Sequence, residues 1–448
     1  MRLWRAAAVL ALLAVSSPLS AQPVFDTVSL PADRIQLPAG KPSSVVVLLS
    51  DAAGWSAGHE QVASRLAEQG AAVVRVDLPT YYAALRQETR DCLYLVSDIE
   101  RLSRELFRAQ GVDTYRPPFV AGTGEGATLA LAIAAQTPAS TLSALVAVDP
   151  GATVPLVKPL CTPAPKTPRD GGIGYGLVDG PLPAPVDLVF TSAASARGRA
   201  HGADLRLTHP DIRLEDSPKS ASEALLAGLE RAIRHQEVEG ALPDLPLVEM
   251  PASGPSDVFA IIYSGDGGWR DIDRQLGLFI QQAGIPVVGV DALRYFWSEK
   301  TPDQTATDLS RIIRTYSAKF GARRVALIGY SFGADILPAT IRRLPSSDQE
   351  AIRLVSLLAL SRAADFEIAV TGWLGIAGAG RHGDPVEDAR LIDPGKLQCI
   401  YGLAEKVSGC PALQPLAAAG ADIIARPGGH HFDGNYRILA DHILARLR

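Results

Sequence analysis

What this 448-residue chain has little of already narrows its chemistry. It has no run of lysine and arginine interleaved with aromatic residues, and its net charge is −5, so no nucleic-acid surface is expected. Its four cysteines form no Cys-x-x-Cys, and no histidine cluster accompanies them, which argues against a metal site or other cofactor. Beyond the N-terminus no charge-free apolar segment approaches the ~20 residues a bilayer span needs. With 47% hydrophobic and 20% charged residues, what remains is an ordinary globular composition, long enough for two domains.

The N-terminus is read as a secretory signal peptide. Arg2 and Arg5 precede the apolar run 6–15, and Leu19-Ser20-Ala21 offers a small residue for cleavage, so residues 1–21 are expected to be removed after export to the periplasm. An oxidising compartment permits disulfides, and pairing within each half, Cys92 with Cys161 and Cys399 with Cys410, is the simplest of three connectivities.

A long-period duplication organises the rest. Residues 45–50 (VVVLLS) run into Asp51-Ala52-Ala53-Gly54-Trp55, and residues 259–264 (FAIIYS) run into Gly265-Asp266-Gly267-Gly268-Trp269. Trp55 and Trp269, like Asp77 and Asp291, lie 214 positions apart. Short apolar β-branched runs alternating with helical periods predict buried parallel strands covered by helices. In the second half the expected elements are a helix over 305–320, strands over 354–360, 397–401 and 421–425, and a closing helix over 436–447. Residues 236–250 carry Pro243 and Pro246 without a clear period, so domains are placed at 24–238 and 246–448. The Pro/Gly-rich stretch 155–185 reads as a surface insertion tied down by Cys161.

The chemistry concentrates in the second half. Residues 325–335 (VALIGYSFGAD) join a buried strand to Gly329-Tyr330-Ser331-Phe332-Gly333, the pattern of a nucleophile elbow. A serine hydroxyl is a weak nucleophile without a base, and in this arrangement acid and histidine follow it in the chain. His430 and His431 come directly after the last expected strand; counting from Pro427 favours His431, with His430 as the rival. Glu405, three residues past Gly402, is the expected acid, with Asp365, Asp393 and Asp433 as alternatives. The N–H of Phe332 and that of Asp266 or Gly267 are the candidate oxyanion donors. The loop 264–269 lacks Gly-Lys-Ser/Thr and the GxGxxG spacing, so phosphate cradling is the weaker reading. In the first half, Gly122-Thr123-Gly124-Glu125-Gly126 keeps the glycines of the turn without its serine, and neither His201 nor His209 has a glycine lead-in. That half is expected to be non-catalytic.

Residues 328–338, Arg343-Leu344-Pro345, 264–269, Tyr295-Phe296-Trp297 and 428–434 (GGHHFDG) resemble the AcvB/VirJ bacterial virulence-factor family, and the two-unit layout resembles its longer, AcvB type. Where relatives carry Asp after the last glycine of that final motif, Asn435 stands here. The resemblance implies two tandem α/β-hydrolase-like domains, each a mostly parallel sheet flanked by helices. It also implies a periplasmic serine hydrolase of aminoacyl-phosphatidylglycerol, a membrane phospholipid met at the periplasmic face. Envelope or secretion-system proteins are possible further partners. A carboxylesterase or thioesterase on a soluble exported substrate, or a non-catalytic secretion or envelope chaperone, is the alternative. Asp266, Asp335 and Glu299 are candidates to meet a cationic aminoacyl head; in the blander reading Asp335 only favours its helix N-terminus.

Overall fold

The computed structural model describes residues 25, 27–236, 242, 244–368 and 380–447. The expected signal peptide lies outside the described residues. Two seven-stranded sheets follow one another along the chain. The first contains β1 (Ile35–Gln36), β2 (Ser44–Leu49), β3 (Ala71–Val76), β4 (Phe119–Thr123), β5 (Ala144–Val148), β8 (Val186–Phe190) and β9 (Arg213–Asp216). Between β5 and β8 the chain makes a separate two-stranded hairpin, β6 (Lys166–Arg169) and β7 (Gly172–Tyr175). The second sheet contains β10 (Leu247–Met250), β11 (Val258–Tyr263), β12 (Val287–Val290), β13 (Arg324–Tyr330), β14 (Ile352–Leu358), β15 (Leu397–Gly402) and β16 (Asp422–Arg426).

The strand orders are β1-β3-β2-β4-β5-β8-β9 and β10-β12-β11-β13-β14-β15-β16. In each sheet only the first strand is antiparallel to its neighbour. The two topologies are therefore identical, and both are the α/β-hydrolase arrangement. Such strands must be apolar on both faces, and they are: Val45, Val47 and Leu49 face one cluster while Val46 and Leu48 face another. Phe259, Ile261 and Tyr263 likewise alternate with Val258, Ala260 and Ile262. One of these clusters is continuous through both halves, so the two units share a core.

Several expected elements shift. The strand expected at 354–360 runs from Ile352 to Leu358, because Ala359 turns the chain at φ 54°, although Ala359 and Leu360 stay buried. The helix expected at 305–320 starts earlier, at Pro302, where Thr301 and Gln304 form a capping box. The aperiodic stretch between the halves ends in β10, whose four residues pair with β12. The stretch 155–185 is not all surface: Leu156, Leu160 and Leu177 are buried, and Cys161 is bonded to Cys92.

Candidate active site

Ser331 stands between β13 and the helix Phe332–Ile341, with φ 52° and ψ −118°. An L-residue pays strain there, and the turn tolerates it because its flanks are glycine. A Cβ on Gly333 would overlap the Tyr263 carbonyl, and one on Gly329 would overlap the Gly333 backbone. The Ser331 N–H donates to the Leu358 carbonyl at 2.9 Å, which fixes the turn against β14. The helix then opens with N–H groups that have no carbonyl partner within it, that of Phe332 first.

Two later loops converge on the serine. His430 Nε2 lies 2.8 Å from Ser331 Oγ, and His430 Nδ1 lies 2.7 Å from Glu405 Oε1. The Glu405 side chain is 9% exposed, and the His430 ring 45%. Among the described residues Glu405 Oε2 is buried without a hydrogen-bond partner, and the His430 imidazole is the group that answers this carboxylate. Hydrogen bonding to Glu405 raises the His430 pKa above its ordinary value, against the opposing effect of burial; Asp266 and Asp335 add to the rise. Glu405 sits in a loop closed by the Cys399–Cys410 disulfide.

His431, the residue favoured by counting along the loop, does not reach Ser331. The Phe432 N–H donates to the Gly429 carbonyl at 2.8 Å, making His430 and His431 the two central residues of one tight turn. Such a turn sends its central side chains in different directions. His431 Nδ1 meets the Tyr330 hydroxyl at 3.0 Å, and that hydroxyl also donates to the His430 carbonyl at 3.2 Å. The other carboxylate candidates are occupied elsewhere. Asp365 accepts from the Gly380 and Arg381 N–H groups, Asp393 caps Gly395, and Asp433 accepts from Asn435 and lies 3.7 Å from Arg426. Glu299 pairs with Arg381 at 3.2 Å.

The loop 264–269 lies against the serine. The Gly268 N–H closes a turn onto the Gly265 carbonyl at 3.1 Å, with Asp266 and Gly267 at its crest. A Cβ on Gly265 would come within 3.3 Å of the Tyr330 ring and 3.7 Å of Ser331 Cβ. Asp335 accepts from the Ser361 N–H at 2.7 Å, and burial pushes its carboxyl up to about 8. Three contributors escaped the sequence reading. Tyr330 gave no signal because an aromatic beside a buried strand reads as core. Asp273, buried under the same loop and pushed well above the carboxylate range by that burial, looks like any acid in a first helical turn. Arg270 was invisible because its partner, Glu100, belongs to the other half.

In the first half the corresponding turn is physically blocked. Gly124 holds the place of Ser331 at φ 54°, and Asp51 holds the place of Gly265. A Cβ on Gly124 would overlap the Asp51 carboxylate. Asp51 Oδ1 accepts the Glu125 N–H at 2.9 Å, the counterpart of the Phe332 N–H. The turn thus has neither a hydroxyl nor a free donor at that position. Among the described residues no group of three or more His, Cys, Asp or Glu is placed to hold a metal ion, and no helix is long and apolar enough to cross a membrane.

No curated relative matches the chain. Solved structures similar to it include Est1E from Butyrivibrio proteoclasticus, 12% identical, covering 45% of this chain and 93% of that one with a TM-score of 0.34. A cold-adapted esterase from an Arctic intertidal metagenomic library is 16% identical, covering 46% of this chain and 88% of that one, TM-score 0.32. Naproxen esterase (carboxylesterase NP) from Bacillus subtilis is 12% identical, covering 45% and 87%, TM-score 0.32. The model of the family described as Bacterial virulence protein (VirJ) matches residues 257–448. That matched stretch carries Ser331, Glu405 and His430, so it is the second unit that is similar to the VirJ family.

Proposed function

We propose that the protein is a periplasmic serine hydrolase that cleaves the aminoacyl ester of aminoacyl-phosphatidylglycerol, lysyl or alanyl, at the membrane surface. The observation that carries the reading is the unbroken hydrogen-bond chain Ser331–His430–Glu405 at the end of a strained strand–helix turn. The substrate class follows from the family resemblance rather than from the site.

In this mechanism His430 Nε2 takes the Ser331 proton as Oγ attacks the ester carbonyl, and Glu405 stabilises the imidazolium. The Phe332 N–H and an N–H from Asp266 or Gly267 receive the developing oxyanion. Collapse breaks the bond to the glycerol oxygen, which leaves with the proton from His430 as phosphatidylglycerol. Water, deprotonated by the same nitrogen, then releases the amino acid and restores Ser331. Asp335 already accepts from the Ser361 N–H, and burial works against its charged form, so it is a poor partner for the aminoacyl ammonium. Asp266 takes that role here.

The test is incubation of the purified chain and its Ser331→Ala variant with vesicles containing lysyl- or alanyl-phosphatidylglycerol, with release of free amino acid as the readout. Release by the parent alone supports the reading. Equal release by both removes Ser331 as nucleophile. Hydrolysis of soluble aryl esters with the lipid untouched favours a carboxylesterase or thioesterase, and inactivity on every ester favours a chaperone role.

A further inference from the structure

The first unit has lost the serine but not its contact with the second. Among the described residues, side-chain bridges through Arg270 and through Trp297 cross between them, and both end at parts of the second unit that lie against Ser331. The first begins at Glu100, on the helix Leu95–Ala109. Both Glu100 carboxylate oxygens accept from Arg270 Nη1, at 3.0 and 3.1 Å, and Arg104 on the same helix holds the same carboxylate. The pair is largely buried, with 14% of the Glu100 side chain and 25% of that of Arg270 exposed. Arg270 is the exit residue of the loop that starts at Gly265. Its guanidinium folds back beneath that loop, so that a Cβ on Gly267 would lie 3.0 Å from its Nε and Nη2. The next residue, Asp271, sits at φ 46°, a left-handed conformation that a non-glycine residue keeps only when its surroundings hold it.

The second bridge is aromatic. Trp297, 1% exposed, stacks on Tyr115 of the first unit with centroids 4.9 Å apart. Its Nε1 donates to the Val112 carbonyl at 2.9 Å, and the Arg108 guanidinium lies 3.7 Å from its ring centroid. Arg108 also donates to the Ile368 carbonyl at 2.8 Å, and the Ile368 N–H donates to the Phe296 carbonyl at 2.8 Å. Phe296 packs edge-on against Phe332, the residue after Ser331, at 5.0 Å.

We propose that the first unit is a fixed abutment for the second unit's active site, with Glu100 the positioning residue that holds the oxyanion loop through Arg270. This rests on the serine-hydrolase reading above. A donor displaced by even a fraction of an ångström from the oxyanion loses much of its stabilisation, and that interaction is made mainly in the transition state. Loss of the abutment therefore lowers kcat and leaves KM nearly unchanged. A merely structural contact would instead lower thermal stability and leave the turnover of the folded fraction alone.

The experiment uses the full chain and a soluble 4-nitrophenyl ester, with active sites titrated by a phosphonate. Hydrolysis by the parent that disappears in Ser331→Ala establishes the underlying reading; without it, that reading fails rather than this one. Given that activity, Glu100→Gln is expected to reduce kcat about tenfold with KM within twofold. Arg270→Ala is expected to show the same split, and the double variant Glu100→Gln with Arg270→Ala to lose no more than Arg270→Ala alone. If Glu100→Gln does not fold, Glu100→Asp, which keeps the charge and withdraws it by one methylene, is read in its place with the same expected split. A folded Glu100 variant with kcat within twofold of the parent overturns the proposal, and so do losses in Glu100→Gln and Arg270→Ala that multiply in the double variant.

Discussion

The two adjacent histidines provide the sharpest test of the site, because one turn gives them opposite roles. His430 is in hydrogen-bond contact with both Ser331 and Glu405, whereas His431 contacts the Tyr330 hydroxyl. Removing a positioned general base costs roughly 10²–10⁴-fold in rate. His430→Ala is therefore expected to lower kcat by at least a hundredfold. His431→Ala removes one hydrogen bond to a phenol that keeps its bond to the His430 carbonyl. Such a bond contributes about 1 kcal/mol. If all of that reached the transition state, the loss would be about fivefold. The assay is steady-state hydrolysis of a 4-nitrophenyl ester, with near-ultraviolet circular dichroism showing that each variant is folded. A folded His431→Ala as inactive as His430→Ala, or a folded His430→Ala within fivefold of the parent, would refute the assignment. So would equal losses of intermediate size, since the geometry gives the two rings no common function.

Three other expectations follow from the same contacts. The base must be neutral to act, and Glu405 raises the pKa of His430, so the acid limb of kcat/KM should lie above the ordinary histidine value of about 6.5. Glu405→Gln removes the raising charge, so the limb should move to lower pH while kcat falls; an unmoved limb in pH–rate profiles would contradict this. The Cys399–Cys410 disulfide spans 11 residues, so replacing both cysteines by alanine should cost about 3 kcal/mol of stability in the chain-entropy model, read by urea unfolding. Because Glu405 lies inside that loop, kcat should fall as well, and a variant with unchanged kcat would separate the loop from the chemistry. In the first unit, Gly124→Ser should destabilise by about 1–3 kcal/mol through overlap with Asp51, read by thermal unfolding. It should restore no activity in a Ser331→Ala background, where any recovered turnover would show a second working site.

What the sequence revealed depended on whether the signal was local. The buried strands were legible because sheets covered on both faces leave uninterrupted apolar runs such as 45–50 and 259–264. The strained turn at Ser331 was legible because close backbone approach demands glycine at 329 and 333. The edge strand β10 was not, since its four residues are half-buried and flanked by Pro246 and Pro251, so they read as linker. The hairpin strand β6 was missed for a similar reason: Lys166–Arg169 is fully exposed and contains Pro168. Counting along the loop cannot separate His430 from His431, because a tight turn has no side-chain period. The bridges through Glu100 and Trp297 lie beyond any local pattern, since their partners are far apart in the chain.

The paired differences between the two units explain how a hydrolase turn can lose its chemistry and keep its fold. The second unit sets Gly265 beside Ser331, whereas the first sets Asp51 beside Gly124. Side-chain volume has moved across the contact rather than vanished, and the carboxylate that fills the gap also satisfies the backbone N–H left at the helix start. A bare Ser→Gly change would have left both a void and an unpaired donor. The layer beneath shows the same compensation. The second unit buries Asp273 near Tyr330, and burial followed by that carboxyl pushes the phenol far above its ordinary value, so it stays a neutral donor. The first unit has His59 and Thr123 at those places, joined directly by His59 Nε2 and Thr123 Oγ1 at 2.9 Å. Each substitution is matched by its neighbour, which is the pattern of a site repacked for stability. The packing on the other side of that unit, where Glu100, Arg108 and Tyr115 grip the second half, has no such need of repair, because supporting a neighbour requires no hydroxyl.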